Sequence, residues 1–202
     1  MAAEPDVVDG RKLRGRRRRA QIIEATLEIV RRDGATGVTH RTVAKEAGIT
    51  TSLTLYYFAI LDDLLVAALT SVTEEYTGRI QDLIDTEDDP LDGLSALIAE
   101  SGGPGRERAL AERELSTLAA RRPALRPAAR AWRDKVAELA RTQTNDPDAI
   151  EAVVALSDGL CTAILLDDRE ADPEHIRAVL QRALSRSGSV DSDRVPPPRT
   201  RE

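Results

Sequence analysis

Apolar residues recur at three- and four-residue intervals along most of the 202-residue chain, the period of an amphipathic helix. Between Ala20 and Arg32, the residues Ile22, Ile23, Leu27, Ile29 and Val30 form one stripe, and Asp33-Gly34 ends that helix. A longer stripe from Leu64 through Leu69, Val72, Tyr76 and Ile80 to Ile84 predicts a helix over 62–84. Further helices are predicted over 91–100 and, beyond the breaker Ser101-Gly102-Gly103-Pro104-Gly105, over 106–120. Arg121-Arg122-Pro123 ends the latter. A helix over 125–142 tolerates Pro127 in its first turn, another runs over 146–167, and a last one follows Asp172-Pro173 to about residue 187. The 146–167 segment, with Ile150, Val153, Val154, Leu156, Leu160, Ala163, Ile164 and Leu165, shows more apolar surface than one side needs. Such a helix is either buried all round or shared with a partner. The pattern predicts an all-α fold.

One segment breaks this rhythm. From Val38 to Phe58 the chain reads as two short helices joined by a turn. Thr39 is a suitable N-cap, Val43, Ala44 and Ala47 follow at helical spacing, and Gly48 stands where the chain must turn sharply. Thr50 caps the second helix, which exposes hydroxyls and tyrosines rather than charges. A helix-turn-helix lays such a helix in the DNA major groove, where hydroxyls reach phosphates and side chains read base edges. Three of the five aromatic residues of the chain cluster at Tyr56-Tyr57-Phe58.

Charge sharpens the picture. Residues 11–19 hold seven positive charges, including Arg16, Arg17, Arg18 and Arg19, and run directly into the first stripe. Runs of this kind bind phosphate and release counterions, and a basic arm here is placed to drape over the backbone or enter the minor groove. Residues 1–58 carry 11 Lys+Arg against 7 Asp+Glu, a net of +4, whereas residues 59–202 carry 18 against 28, a net of −10. The overall charge of −6 therefore does not argue against nucleic acid, because the field is divided.

The segment from Arg16 to Leu65 resembles the DNA-binding domain of the tetracycline-repressor (TetR) family of bacterial regulators. The resemblance lies in the helix ending at Gly34, the Val38-Thr39 entry, Val43-Ala44 followed by Ala47-Gly48-Ile49, Tyr56-Tyr57-Phe58, and Asp62-Asp63-Leu64-Leu65. It implies an N-terminal three-helix helix-turn-helix domain followed by a larger helical ligand-binding and dimerisation domain. The expected division is a disordered tail over 1–10, a DNA-binding domain with basic arm over 11–60, a ligand-binding and dimerisation domain over 61–187, and a disordered tail over 188–202. It further implies a regulator, usually a repressor, that binds a partly palindromic double-stranded DNA operator as a homodimer and is released by a small-molecule effector. The helices near 125–142 and 146–167 match the pair forming the dimer interface in the family, and Gly159 and Ala163 there are small enough for close approach.

Carried over, Thr51, Ser52 and Leu53 open the recognition helix toward base edges, Tyr56 and Tyr57 meet the backbone, and Thr39, Arg41, Thr50 and, more weakly, His40 lie beside phosphate. Phe58 closes the small core against Ile23, Leu27 and Val43. Most members carry a lysine where this chain has Leu61, and many carry a glycine where it has Ser52. The loss of a phosphate contact at Leu61 keeps an alternative open: a helical ligand-binding or adaptor protein with weakened DNA binding. Family analogy puts the effector cavity among helices between 62 and 165, with Tyr76, Arg113, Glu114, Thr117, Trp132, Asp158 and Cys161 as lining residues. A pocket with so few aromatics is expected to suit an aliphatic or polar effector better than a flat multi-ring one.

Composition bounds the rest. Cys161 is the single cysteine, which excludes an internal disulfide. The two histidines, His40 and His175, lie far apart in the sequence, no metal-ligand spacing occurs, and no glycine loop carries a phosphate-binding lysine. No enzyme activity, cofactor or metal is expected. No apolar run is read as approaching the ~18 residues of a membrane span, and no signal peptide is read, so no membrane partner and a cytoplasmic protein are expected.

Overall fold

The computed structural model describes residues 5–86, 89–167 and 170–185. Among these residues the chain forms nine α-helices and no strand. They are α1 (Pro5–Asp33), α2 (His40–Glu46), α3 (Thr51–Tyr57), α4 (Leu61–Thr86), α5 (Pro90–Ala99), α6 (Arg106–Leu118), α7 (Arg126–Gln143), α8 (Pro147–Asp167) and α9 (Pro173–Ser185).

Two apolar cores organise them. The first gathers Ile22, Ile23, Leu27 and Ile29 of α1, Val43 of α2, Phe58, and Leu64, Leu65, Leu69 and Val72 of α4. It also takes Ala111 and Leu115 from α6 and Leu125 from the turn before α7. The second holds Ile80 of α4, Leu91, Leu94 and Ile98 of α5, Trp132, Val136 and Leu139 of α7, Val153 and Ile164 of α8, and Ile176 and Leu180 of α9. Helix α4 belongs to both, and Tyr76 on it packs against both. At 1.5 Å per residue its 26 residues make a rod of about 39 Å.

The short helices of the head are fixed at their ends. Thr39 caps α2 by accepting from the Thr42 backbone N–H, while the Thr42 hydroxyl accepts from the Thr39 N–H, a capping box with threonine in place of the usual Glu or Gln. Thr50 caps α3 by accepting from the Leu53 N–H at 3.3 Å. Gly48 lies between them at φ +61°, left-handed backbone that an L side chain occupies only with strain. Gln21 Nε2 donates to the Ala47 carbonyl at 2.7 Å and ties α1 to the end of α2.

Two expectations are corrected. Helix α1 begins at Pro5, so residues 5–10 form its first turns rather than a tail, and the basic run is helical rather than a free arm. Arginine and leucine are strong helix formers, and a run without a β-branched residue or proline between Arg11 and Ile22 lets the helix propagate backward from its packed half. The tail expected over 188–202 lies outside the described residues. Helix α8 is, by length and a mean hydropathy of 1.9, apolar enough to cross a membrane, contrary to the sequence reading. In this fold it packs beside α7 and α9, with Ser157 buried and Asp158 ion-paired to Arg133.

A Cβ at Gly48 meets no atom within 4 Å, so the cost of Gly48→Ala is conformational alone. Urea denaturation should show a loss of about 1–2 kcal/mol; a neutral result would mean that this turn relaxes freely.

Candidate nucleic-acid interface and interior cavity

Helix α3 presents Thr51, Ser52, Leu55 and Tyr56 to solvent, with Tyr56 79% exposed. Leu53 and Tyr57 are half-buried, and Thr54 turns inward. Tyr56 and Tyr57 meet edge to face at 5.2 Å, which orients both rings. Arg41 stands exposed on α2, and Arg16, Arg17 and Arg19 are exposed on α1. Arg19 also lies 5.0 Å from the Phe58 ring centroid, a cation–π contact, and Arg18 donates to Gln21 at 2.7 Å. These side chains are brought to one compact head. The exposed Leu55 and Lys45 are further surface residues on α3 and α2 that the sequence reading passed over.

His40 does something else. Its Nε2 lies 2.8 Å from the Phe58 carbonyl oxygen, to which it donates, so the ring ties the start of α2 to the end of α3. Thr39 and Thr50 likewise spend their hydroxyls on capping. Leu61 is half-buried against the first core, so the position where a lysine was expected faces apolar side chains.

Within the helices behind the head lies a small, partly open pocket of about 30 Å³. Tyr76, Leu97, Ile98, Ala109, Trp132, Cys161 and Leu165 make its apolar wall, and Ser101, Glu112 and Arg113 are its polar members. Four of the seven expected residues therefore meet there: Tyr76, Arg113, Trp132 and Cys161. Thr117 and Asp158 lie instead on an outer cleft between α6 and α7, which shares Glu112, Arg113 and Trp132 with the pocket. Asp158 accepts from Trp132 Nε1 at 3.2 Å and pairs with Arg133.

Glu114 is a correction. It faces away from the cavity, and its Oε1 accepts the Ala35 backbone N–H at 2.6 Å in the turn between α1 and α2. Gly34 in that turn has φ +76°, and a Cβ there would stand 2.9 Å from the same oxygen. The buried carboxylate of α6 is Glu112, which the sequence reading missed. Ala109, Glu112, Arg113 and Ser116 follow one another at i, i+3, i+4 and i+7, a single helix face. Glu114 lies two positions on, about 200° around the axis.

Burial sets the protonation states here. Desolvation pushes the Glu112 carboxyl above the usual carboxylate range, opposed by the hydrogen bond from Ser116 and by the nearby Arg113. Desolvation likewise raises Tyr76 to about 12 and Cys161 to about 11. Cys161 receives a long contact from Ser101 Oγ at 3.9 Å and stays a neutral thiol at physiological pH. Among the described residues, no three His, Cys, Asp or Glu side chains are grouped to hold a metal ion.

Residues 85–186 match the family described as the Tetracyclin repressor-like, C-terminal domain. The HTH-type transcriptional regulator PksA of Bacillus subtilis is 28% identical over 179 residues, covering 81% of this chain and 86% of that protein. Among solved structures, the multidrug binding protein EbrR complexed with ethidium is 41% identical with a TM-score of 0.70, over 82% of this chain and 97% of its own. A regulator from Streptomyces coelicolor A3 is 41% identical with a TM-score of 0.74, again over 82% of this chain and 97% of its own.

A carboxyl whose folded pKa is raised stabilises the fold only while protonated, and that contribution is lost as pH rises through the raised value. Glu112→Gln should therefore raise the melting temperature at pH 7.5, and the gain should shrink as the pH falls through the raised value and be gone below the ordinary carboxylate range. A gain that stays constant from pH 7.5 to pH 4 would show that the carboxyl is not desolvated.

Proposed function

The chain belongs to the tetracycline-repressor family of transcriptional regulators, and from that premise we propose that it is a one-component repressor. It binds a partly palindromic operator as a homodimer, in the cytoplasm, and is released by a lipophilic organic cation. We assign it no catalytic role. The observation that carries this reading is the double engagement of α6. Glu112 on one side of this helix lines the interior pocket, and Glu114, two residues on, holds the turn that enters the helix-turn-helix. A ligand that moves α6 must act on the head.

In the DNA complex, Thr51, Ser52 and Leu53 would face base edges, while Tyr56, Tyr57, Arg41, Arg16 and Arg17 would meet the backbone. Arg18 and Arg19 flank the same surface. His40, Thr39 and Thr50 would act by holding the two helices in place rather than by reaching phosphate. A head of this size reads too few base pairs for a unique site, and a two-fold dimer doubles the number. We assign the dimer contact to α8, whose outward row Ala155, Gly159 and Ala163 is small and exposed beside a largely exposed Leu166. Its neighbour α9 is the better second helix, because the exposed positions of α7 are mostly charged.

The effector class rests on Glu112 and on the relatives. EbrR is described in complex with imidazole, ethidium, malachite green and proflavin, the last three of which are multi-ring aromatic cations. A buried carboxylate among apolar walls is the partner such a cation needs. This replaces the aliphatic or polar effector expected from the scarcity of aromatics. At about 30 Å³ the pocket holds little more than a water, so the cation must bind an opened arrangement of α5, α6 and α7. Ligand binding and DNA release are then linked by the difference in affinity between the two arrangements.

The test is fluorescence-anisotropy binding to duplexes from upstream of the protein's own gene, against random duplex, with tetraphenylphosphonium as a cation that does not intercalate. Selective binding is expected, and the cation should weaken it by roughly 5–150-fold. Glu112→Gln should abolish the response and leave operator affinity unchanged; Glu114→Ala should keep cation binding and blunt release. Equal, salt-dependent affinity for every duplex would sink the repressor reading and favour a ligand-binding protein with a weakened head.

A further inference from the structure

The interior pocket leaves a group of arginines without a role. The outer cleft between α6 and α7, about 410 Å³ in volume, is lined by Arg113, Arg126, Arg130 and Arg133 together with Ser116 and Thr117. Its volume is within the range of small-molecule sites. The interior pocket is mostly apolar, with Glu112 and Arg113 as its charged members, whereas this cleft brings four guanidinium groups together against Glu112 and Asp158. In a chain with a net charge of −6 that is a local inversion of the field.

The two carboxylates are already engaged. Asp158 pairs with Arg133 and lies 3.5 Å from Arg113, and Glu112 accepts from Ser116. Among the described residues, Arg126 has only a long hydrogen bond from Nε to the Ala119 carbonyl, at 3.3 Å. Arg130 is exposed and makes neither an ion pair nor a hydrogen bond among the described residues. Arg113 keeps a buried Nε with no hydrogen-bond partner among the described residues, and a buried donor left unmet costs free energy. Between these charges Ala119, Ala120 and Ala129 and the indole of Trp132 supply apolar lining. Guanidinium groups bind carboxylate, sulfonate and phosphate oxygens in planar pairs, and the apolar lining asks for a hydrocarbon or aromatic body attached to them.

We propose that this cleft is a second small-molecule site, which takes an amphipathic organic anion on Arg130 and Arg126 with its apolar body against the alanines and Trp132. It goes beyond the effector reading, since the ligand has the opposite charge and most of the lining is different. The two sites share the wall formed by Glu112, Arg113 and Trp132.

The experiment is isothermal titration calorimetry of the full chain with naphthalene-2-sulfonate and its neutral analogue naphthalene-2-sulfonamide. The sulfonate should bind one per chain, and the sulfonamide at least tenfold more weakly. Arg130→Glu should lower sulfonate affinity at least tenfold, and because Arg130 is exposed and makes no ion pair or hydrogen bond among the described residues the variant should keep the wild-type melting temperature. Arg126→Gln, tested beside it, should lower affinity in the same direction. Cys161→Leu fills the interior pocket alone: it should abolish tetraphenylphosphonium binding and leave the sulfonate affinity within twofold. That variant separates failure of this site from failure of the effector reading. Equal affinity for sulfonate and sulfonamide, no sulfonate binding up to millimolar concentration, or indifference to Arg130→Glu would each overturn the proposal. So would an Arg130→Glu variant that dissociates a dimer without touching sulfonate affinity, since the arginines would then serve an acidic side chain of a second copy.

Discussion

A seven-residue helix cannot hold itself together in water, because the cost of nucleating it is not recovered over two turns. Helices α2 and α3 are both of this length, and everything the head does depends on where they borrow their burial. They borrow it from α1 on one side and from the first half of α4 on the other, through Val43, Ala47 and Phe58. The same core continues into Ala111 and Leu115 of α6. The head is therefore not a bead on a string. Its packing is shared with the helices that line the interior pocket, and Glu114 of α6 is hydrogen-bonded to the turn at Gly34 and Ala35.

Electrostatics divides the molecule along different lines from packing. The head is positive, and the chain after Phe58 is on balance strongly negative, yet that second part gathers four arginines into one cleft. A single carboxylate, Glu112, is withdrawn from water beside them. Charges buried or grouped in this way are costly without a partner.

Much of the head could be read from residues whose chemistry is local. Thr39 and Thr50 announce helix starts, Gly48 announces a left-handed turn, and both helices lie where those signals put them. His40 was not legible, because its partner is a carbonyl 18 residues away and no local pattern reports that. The extent of α1 differs from the expectation because the basic run reads as an arm ahead of the helix, although arginine is a good helix former. In the cavity the difficulty was rotational. Glu112 and Arg113 share the cavity face, while Glu114 is turned about 200° from Glu112, and only the choice of the stripe Ala109, Glu112, Arg113, Ser116 selects the buried carboxylate. Helix α8 was read correctly as too apolar for one side, but the pairing of Asp158 with Arg133 across to α7 needed the fold.

Trp132 stands in the wall between the interior pocket and the outer cleft, and its Nε1 is fixed to Asp158. A wall with two faces has an evolutionary consequence. Any substitution there that reshapes one compartment for a new compound also reshapes the other, as does any change at Glu112 or Arg113. The two compartments cannot drift independently through those three positions. Divergence in what each accepts must instead be written into residues that only one of them touches, such as Leu97 and Cys161 inside and Arg126 and Arg130 outside.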